Sequence, residues 1–410
     1  MAKIAFFGMS ARGHLNPIIG VLQELQEAGH ELHSFGYRST ADYLDGYGIP
    51  VTCYEDVLPP GSPASPFEQD AMTVALGTSM TNPGLRREFF AALTHEAVSN
   101  VDHYRQVIAD LQPDCVVHCL MFPGPRYAAQ SLGVPLVTTG AMAISPKMWL
   151  GMKDPQIAAK IGADFGMLKE VTAPLQDLRR RLGLTGPPNP VDVFNVSQDL
   201  VLAYTSREFQ GDYDKMRPYA FVGYVPRTAR LAAPPVDPGP APRIYVSLGT
   251  QAEPTIAAKF FGHLMAAAAS MTASFVVATG DSVAPEDFTL PSNVTAARWM
   301  PQSDLMPRMD AVICHGGFST VHEALYNAKP VWALMLDNDD FHMGGCLAAS
   351  GAGLASPLGS GEVTAEQIVK NIEVMLGSPD MREAAAGMRD SLARAGGAPA
   401  ARAAIERICT

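Results

Sequence analysis

The chain is short of charge, and of positive charge most of all. Charged residues fill 17% of its 410 positions, and the formal net charge is -11. A protein without a basic face has little hold on nucleic acid or on an anionic membrane surface, because both recruit Lys and Arg. An uninterrupted apolar run of membrane-spanning length is also lacking. The apolar-leaning stretch from Gly262 to Gly280 is broken by His263 and several Ser and Thr, so it reads as an Ala-rich helix followed by a strand. The opening residues 1–8 fit a first buried strand better than the apolar region of a secretion signal. Cysteine is scarce and unpatterned. Cys53, Cys115, Cys119, Cys314, Cys346 and Cys409 follow no regular spacing, which argues against a disulfide framework and for a reduced, cytoplasmic protein. No short internal repeat is visible.

What is present is an ordinary apolar fraction, 47%, on a chain too long for one typical domain. About two to three domains with sizeable cores are expected. Residues 4–8, 31–37, 114–119 and 136–139 read as strands, and 17–28 and 126–132 as helices, with Gly29 as a stop signal after the first. Continuous apolar runs joined by helices imply a parallel sheet covered on both faces. From Tyr219 to Pro242 the pattern breaks. Pro226, Pro234, Pro235, Pro238, Pro240 and Pro242 mark a semi-rigid linker. The pattern then restarts, with strands at 243–248, 274–278, 311–314 and 330–334 and helices at 256–269 and 319–327. Two helical stretches close the chain. The economical reading is two similar α/β domains, 1–218 and 243–397, facing each other across a cleft with linker 219–242 between them. Sites in such sheets lie beyond the C-terminal ends of the strands.

The densest chemistry runs from Trp299 to Glu323. Strand 311–314 delivers His315-Gly316-Gly317 to a helix starting near Ser319, whose free N–H groups and positive dipole end suit a phosphate. The glycines let a phosphate approach the backbone. His315, Thr320 and Ser319 can add donors. Gly249 and Thr250, after strand 243–248, offer a second turn towards the same diphosphate. Glu323 lies about two helical turns beyond His315, and its carboxylate matches the two hydroxyls of a ribose. Trp299 supplies a flat face for a base and Gln302 an amide for its edge. Taken singly, His315 could be a core histidine, Trp299 a core aromatic and Glu323 a solvated helix residue. Their joint spacing carries the functional reading.

Trp299-x-Pro-Gln302, His315-x-Gly317, Thr320, Glu323 and Pro330 resemble the nucleotide-sugar signature of family 1 glycosyltransferases. Gly13-His14-Leu-Asn16-Pro17, then Glu24-Leu25 and Ala28-Gly29-His30, are similar to the bacterial macrolide-type members, as are Tyr245-Val-Ser-Leu-Gly249-Thr250 and Phe221-Val-Gly223. The resemblance spans both halves. It implies an α/β GT-B fold of two Rossmann-like domains facing across a cleft, with acceptor in the first and donor in the second, and a last helix, 398–410, crossing back to the first. It further implies that His14 is the general base of a direct, inverting displacement. An unperturbed imidazole titrates near working pH, as that task requires.

The chain departs from the family pattern in two places. The usual partner of the base is an Asp at the end of the strand beginning Pro113-Asp114. Cys119 takes that position, and a thiol orients and stabilises an imidazolium poorly. The expectation is an acceptor whose proton leaves easily, such as a phenol. Cys115, His118 and Cys119 do not make a metal site on this reading, because alternation along a strand sends His118 to the opposite face and no fourth ligand is near. At Asp337-Asn-Asp339-Asp340, where the family places an acid followed by Gln to hold sugar hydroxyls, Asp339 takes the acid position and Asp340 replaces Gln. Two carboxylates only accept hydrogen bonds. They suit a hydroxyl-rich or amino sugar, disfavour a uronic acid, and are read without a metal. His322 and His342 default to solvated helix faces.

Phe67, Met72, Met80, Phe89, Phe90, Met142, Met148, Trp149 and Phe165 lie in the stretches that form the acceptor pocket in the resembling family. Such side chains suit a flat, apolar natural product, phenolic or polyketide-like, and equally suit core packing. The leading expectation is sugar transfer to a hydroxyl of such a molecule from a nucleoside diphosphate donor. UDP is favoured over dTDP by Glu323. The alternatives are dTDP-deoxysugar transfer, a non-catalytic nucleotide-sugar-binding partner subunit, and a sugar-nucleotide epimerase. The partners expected are the nucleotide sugar, as co-substrate with no further cofactor, and the small acceptor. Neither nucleic acid nor an integral membrane segment is expected, and a homodimer stays open.

Overall fold

The computed structural model describes residues 1–65, 68, 83–140, 173–184, 197, 199–211, 219–230, 235–249, 252–336, 338–358 and 363–409, the side chains of 83–86 and 338–339 excepted. Among these residues two parallel sheets form. The first joins β1 (Lys3–Phe7), β2 (Glu31–Gly36), β3 (Val51–Cys53), β4 (Cys115–Cys119), β5 (Leu136–Thr139), β6 (Leu200–Ala203) and β7 (Tyr219–Phe221). Its strand order is β3-β2-β1-β4-β5-β6-β7. The second joins β8 (Arg243–Ser247), β9 (Ser274–Ala278), β10 (Val294–Ala297), β11 (Ala311–Cys314), β12 (Val331–Met335) and β13 (Gly353–Pro357), in the order β10-β9-β8-β11-β12-β13. Central strands such as Cys-Val-Val-His-Cys in β4 and Val-Trp-Ala-Leu-Met in β12 are buried along their whole length. They are covered on both faces, which is why they read as apolar runs without alternation.

In each sheet the winding reverses direction once, between β1 and β4 in the first and between β8 and β11 in the second. Chain connections leave such a point in opposite directions, and the strand ends there open a crevice. Register puts Phe7 beside His118 and Ser247 beside Cys314. The turns that follow β1, β4, β8 and β11 therefore rise at the two reversal points.

The helix after β1 runs from Arg12 to Glu27 and buries Leu15, Ile18, Ile19, Leu22 and Leu25, an apolar stripe of helical period. It starts five residues before the expected 17–28. Pro17 sits inside it, so Gly13 and His14 belong to its first turn, not to a loop. The first core continues from Leu22 and Leu25 of this helix to Val321 and Ala324 in the second domain, and to Leu392, Ala401 and Ile405 near the C-terminus. The last helix, Gly397–Glu406, packs on the first. Its start is tied by Gly397 N–H donating to Val222 O at 2.8 Å.

Tyr219–Phe221, taken from sequence as the beginning of the linker, pairs with β6 as the edge strand β7. Three residues are enough for an edge strand, but too few to show a period in sequence. The proline-rich segment that follows is pinned. The Gln23 amide clamps Thr228, donating to its carbonyl at 2.7 Å and accepting from its N–H at 3.1 Å. Gly20 permits this contact, since a Cβ there would lie 2.1 Å from Pro226 O and 2.6 Å from Val225 Cγ1. Replacing Gly20 with Ala should therefore cost at least about 1–3 kcal/mol by overpacking. Gly262, inside helix Pro254–Ala269 with nothing within 4 Å, should instead gain about 0.5–1 kcal/mol as Ala. Urea denaturation of the two variants checks the pair, and a neutral Gly20→Ala would refute the contact.

Candidate active site

The turn after β11 brings His315, Gly316 and Gly317 to the helix Phe318–Tyr326. Gly317 sits in the capping position, so the helix starts one residue before the expected Ser319. The turn after β8 brings Gly249 against the same imidazole. A Cβ at Gly249 would fall 2.5 Å from His315 Cε1, and one at Gly317 would fall 2.3 Å from His315 Nε2. The two turns thus close on the His315 ring from both sides, and only glycine lets them. Thr250 and the Asp339 side chain lie outside the described residues. Asp340 is buried and accepts from the Leu336 N–H at 3.1 Å. A Cβ on Gly316 would lie 3.4 Å from its Cβ, so Asp340 props the glycine turn from below.

Glu323 is buried at 2% exposure. Gln302 Nε2 donates to its Oε2 at 2.6 Å, and Tyr245 Oη donates to Gln302 Oε1 at 3.2 Å. The two residues read separately as ribose and base contacts are thus joined. Arg227, from the segment between the domains, faces the same carboxylate. Burial opposes its charge, but Glu323 and the Tyr224 and Tyr43 phenols hold its pKa above the ordinary value. Trp299 is 47% exposed at the mouth of the cleft.

Across the cleft, the first turn of helix Arg12–Glu27 touches three places in three residues. The Arg12 guanidinium carbon lies 4.7 Å from the Trp299 ring centroid. The Gly13 carbonyl accepts from Ser319 Oγ at 3.2 Å. This oxygen is available because residue 17 is proline and has no N–H to give it within the helix. His14 Nδ1 lies 3.4 Å from Cys119 Sγ. The His14 ring keeps partial access to the cleft, but desolvation lowers its pKa to about 4. Burial also pushes the Cys119 thiol up to about 12. Both groups are neutral across the ordinary pH range, and burial is the leading cause of both shifts. A small recess lies alongside, lined by Leu120, Gly140, Thr205, Tyr219 and Phe318 among others.

Sequences with similar arrangements are known. A model of the erythromycin biosynthesis protein CIII-like C-terminal domain matches residues 262–404. The oleandomycin glycosyltransferase of Streptomyces antibioticus is 25% identical over 412 residues, 99% of this chain and 90% of that protein. The 4'-demethylrebeccamycin synthase of Lentzea aerocolonigenes is 25% identical over 93% of both chains. Among solved structures, the glycotransferase of kitacinnamycin superposes with a TM-score of 0.76 at 20% identity over the whole of both chains. The calicheamicin glycosyltransferase CalG4 superposes with a TM-score of 0.73 at 21% identity, over 100% of this chain and 98% of that one. The chain thus resembles bacterial natural-product glycosyltransferases of family 1 along almost its whole length. Its two parallel-sheet domains form the GT-B fold of that family.

Within this glycosyltransferase some sequence assignments need correction. His322 is not on a solvated face. It is 1% exposed, its Nδ1 pairs with Phe318 O at 2.8 Å, and its Nε2 meets Thr205 Oγ1 of the first domain at 2.7 Å. Phe318 stacks against its ring at 4.0 Å. Phe89 and Phe90 pack edge to face in the first domain's core and do not line an open pocket. Phe67, Met72, Met80, Met142, Met148, Trp149 and Phe165 lie outside the described residues. His118 is fully buried between Cys119 O and Thr138 Oγ1. No three metal-ligating side chains converge among the described residues, and no described helix is long and apolar enough to cross a membrane. Sequence reasoning missed Arg12, Arg227 and Thr205, each of which acts through a partner remote in sequence.

The His322–Thr205 bond crosses the domain interface beneath the cleft, and desolvation lowers the His322 pKa to about 4. In the unfolded chain the same ring titrates near 6.5. The unfolded state therefore binds more protons between those values, and stability falls as pH drops through that window. His322→Gln should be less stable than the parent at pH 7, with the gap narrowing by about 2 kcal/mol at pH 5. Denaturant titrations at both pH values check this, and a constant gap would contradict it.

Proposed function

We propose that this glycosyltransferase moves a sugar from a nucleoside diphosphate donor, UDP favoured over dTDP, to a hydroxyl of an apolar natural product. The transfer is a single inverting displacement with His14 as general base and without a metal. The observation that carries the reading is the neutral His14 imidazole at the cleft mouth, on the same helical turn that contacts the glycine turn of the other domain. With the Nδ1 proton turned towards Cys119, Nε2 holds the lone pair that takes the acceptor proton as oxygen attacks the anomeric carbon. The departing diphosphate meets His315, the backbone N–H groups at the start of helix Phe318–Tyr326 and the hydroxyls of Ser319 and Thr320. Trp299 seats the base, and Glu323 with Gln302 receives the ribose. Asp339 and Asp340 are assigned to the donor sugar, Asp340 through the turn it supports.

A base held at about 4 suits an acceptor that ionises readily. A phenol, with a pKa near 10, fits better than an aliphatic alcohol. A dTDP donor is the second reading. It is favoured by a relative named demethyllactenocin mycarosyltransferase of Streptomyces fradiae, 26% identical over 99% of this chain, and by VinC, whose crystal structure holds dTDP.

His14→Ala should lower turnover by about 10²–10⁴-fold while UDP or dTDP binding, read by calorimetry, stays unchanged. Loss of nucleotide binding with the same substitution would count against the assignment. The parent's kcat/KM should stay level as pH falls and drop only near 4, because the base must be neutral. Cys119→Asp supplies a carboxylate at the imidazole, so it should move that drop to higher pH and speed aliphatic alcohols more than phenols. Equal effects on both acceptor classes would rule out the phenol argument.

A further inference from the structure

Arg12 opens its helix, where a positive charge meets the positive end of the helix dipole and gains nothing from it. Among the described residues it forms no ion pair. Its guanidinium instead lies over two aromatic rings, 4.7 Å from the Trp299 centroid and 5.2 Å from that of Tyr43. Trp299 belongs to the second domain and Arg12 to the first, so this stack bridges the cleft. The turns around His315 and Gly249 contribute glycines, hydroxyls and an imidazole to the diphosphate seat, but the run 315–320 contains no Lys or Arg. A leaving diphosphate gathers negative charge, so the site calls for a cation from elsewhere.

We infer that Arg12 is a donor-binding residue with two positions: without ligand it occupies the Trp299 face on which the base stacks, and when the base arrives it is displaced onto the diphosphate. This deepens the nucleotide-sugar reading and rests on it. Two features of the structure support the motion. Arg12 is exposed, so its side chain can swing without repacking a core. The next residue, Gly13, already contacts Ser319 at the diphosphate end of the donor turn, which puts the arginine stem within a residue of that seat. A planar guanidinium stacks on indole and also forks onto phosphate oxygens, so a single side chain serves both positions. Because His14 follows two residues later on the same turn, donor seating and base placement share one backbone segment.

The two halves of a nucleotide separate the claim. Uridine and thymidine compete with Arg12 for Trp299 and give it no phosphate in return. UDP and dTDP give it one. Calorimetric titration of the full-length protein and its Arg12→Ala variant with all four should show the nucleosides binding about two- to fivefold tighter to the variant, the range of an exposed cation–π contact released. The diphosphates should bind at least fivefold weaker to the variant and kcat should fall. Arg12→Lys should recover most diphosphate affinity, since the charge returns without the stacking plane. Parallel changes for nucleosides and diphosphates, in either direction, or no change at all, would overturn the assignment while leaving the donor site intact. Failure of the parent protein to hold either diphosphate would overturn the nucleotide reading itself.

Discussion

The helix Arg12–Glu27 is the member on which both halves depend. Its body fills the space between β1, the C-terminal helix and the helix that follows β11, so one continuous apolar cluster reaches from Ile4 to Val321 and Ile405. Its far side is pressed against the segment joining the domains closely enough that residue 20 has no room for a side chain. Its first turn then emerges at the reversal point of the first sheet and faces the reversal point of the second. A helix wedged in this way can shift only if both domains shift with it, since packed interiors deform little. The backbone of Arg12, Gly13 and His14 is thus part of one rigid element, from which the exposed Arg12 side chain projects. Proline at 17 has a place in this logic. It removes one hydrogen bond from the helix and leaves the Gly13 carbonyl to be satisfied by Ser319 from the opposite domain.

Neutrality is the other organising condition of the catalytic side. An imidazole paired with a carboxylate is primed to carry charge, whereas His14 beside the un-ionised Cys119 is not. Desolvation also keeps His118 and His322 neutral, at about 3 and about 4. The imidazoles and the thiol around His14 therefore carry no charge, while the buried pair Glu323 and Arg227 carries opposite charges behind the donor turns. For the proposed substrates, an apolar acceptor would meet neutral side chains that cost little to desolvate, and an anionic donor would meet turns rich in hydrogen-bond donors. The asymmetry sorts the two substrates by chemistry before shape enters.

Much of this was legible in the sequence, and the failures have physical causes. Strands of buried parallel sheets announce themselves as runs such as Cys115–Cys119, and the glycine turns after β8 and β11 stand out because close approach needs them. The short strands β3, β6 and β7 and the partly exposed β10 and β13 carry too little periodic signal. The long helix Pro83–Leu111 shows no clean apolar stripe in the sequence. Its buried positions Phe89, Phe90, Leu93, Ala97, Val101, Tyr104 and Ile108 keep helical spacing, but Thr94, Glu96 and Asn100 are buried among them and blur the stripe. Glu96 is held there by Tyr104 and Asn100, and burial pushes its pKa up to about 7. His322 was misjudged for a related reason. A lone polar residue reads as solvated, yet it lies four residues after Phe318 and three before Leu325 on the buried face, where Thr205 and Phe209 cover it.

The Glu323 environment also changes how strongly the donor base can be inferred. Read alone, a carboxylate at that position favours a ribose over a deoxyribose, because a missing hydroxyl would leave a buried acceptor unsatisfied, at a cost of about 1–3 kcal/mol. In the folded protein the carboxylate already accepts from Gln302 and faces Arg227. A deoxyribose that brings only one hydroxyl leaves no orphaned charge behind, so the penalty that would enforce UDP shrinks towards that of one ordinary hydrogen bond. Discrimination between uracil and thymine nucleotides must then come from the base seat, where Trp299 offers a face indifferent to a methyl group and the Gln302 amide is held by Tyr245. On the proposed function, the preference for UDP over dTDP then rests on about the worth of one hydrogen bond.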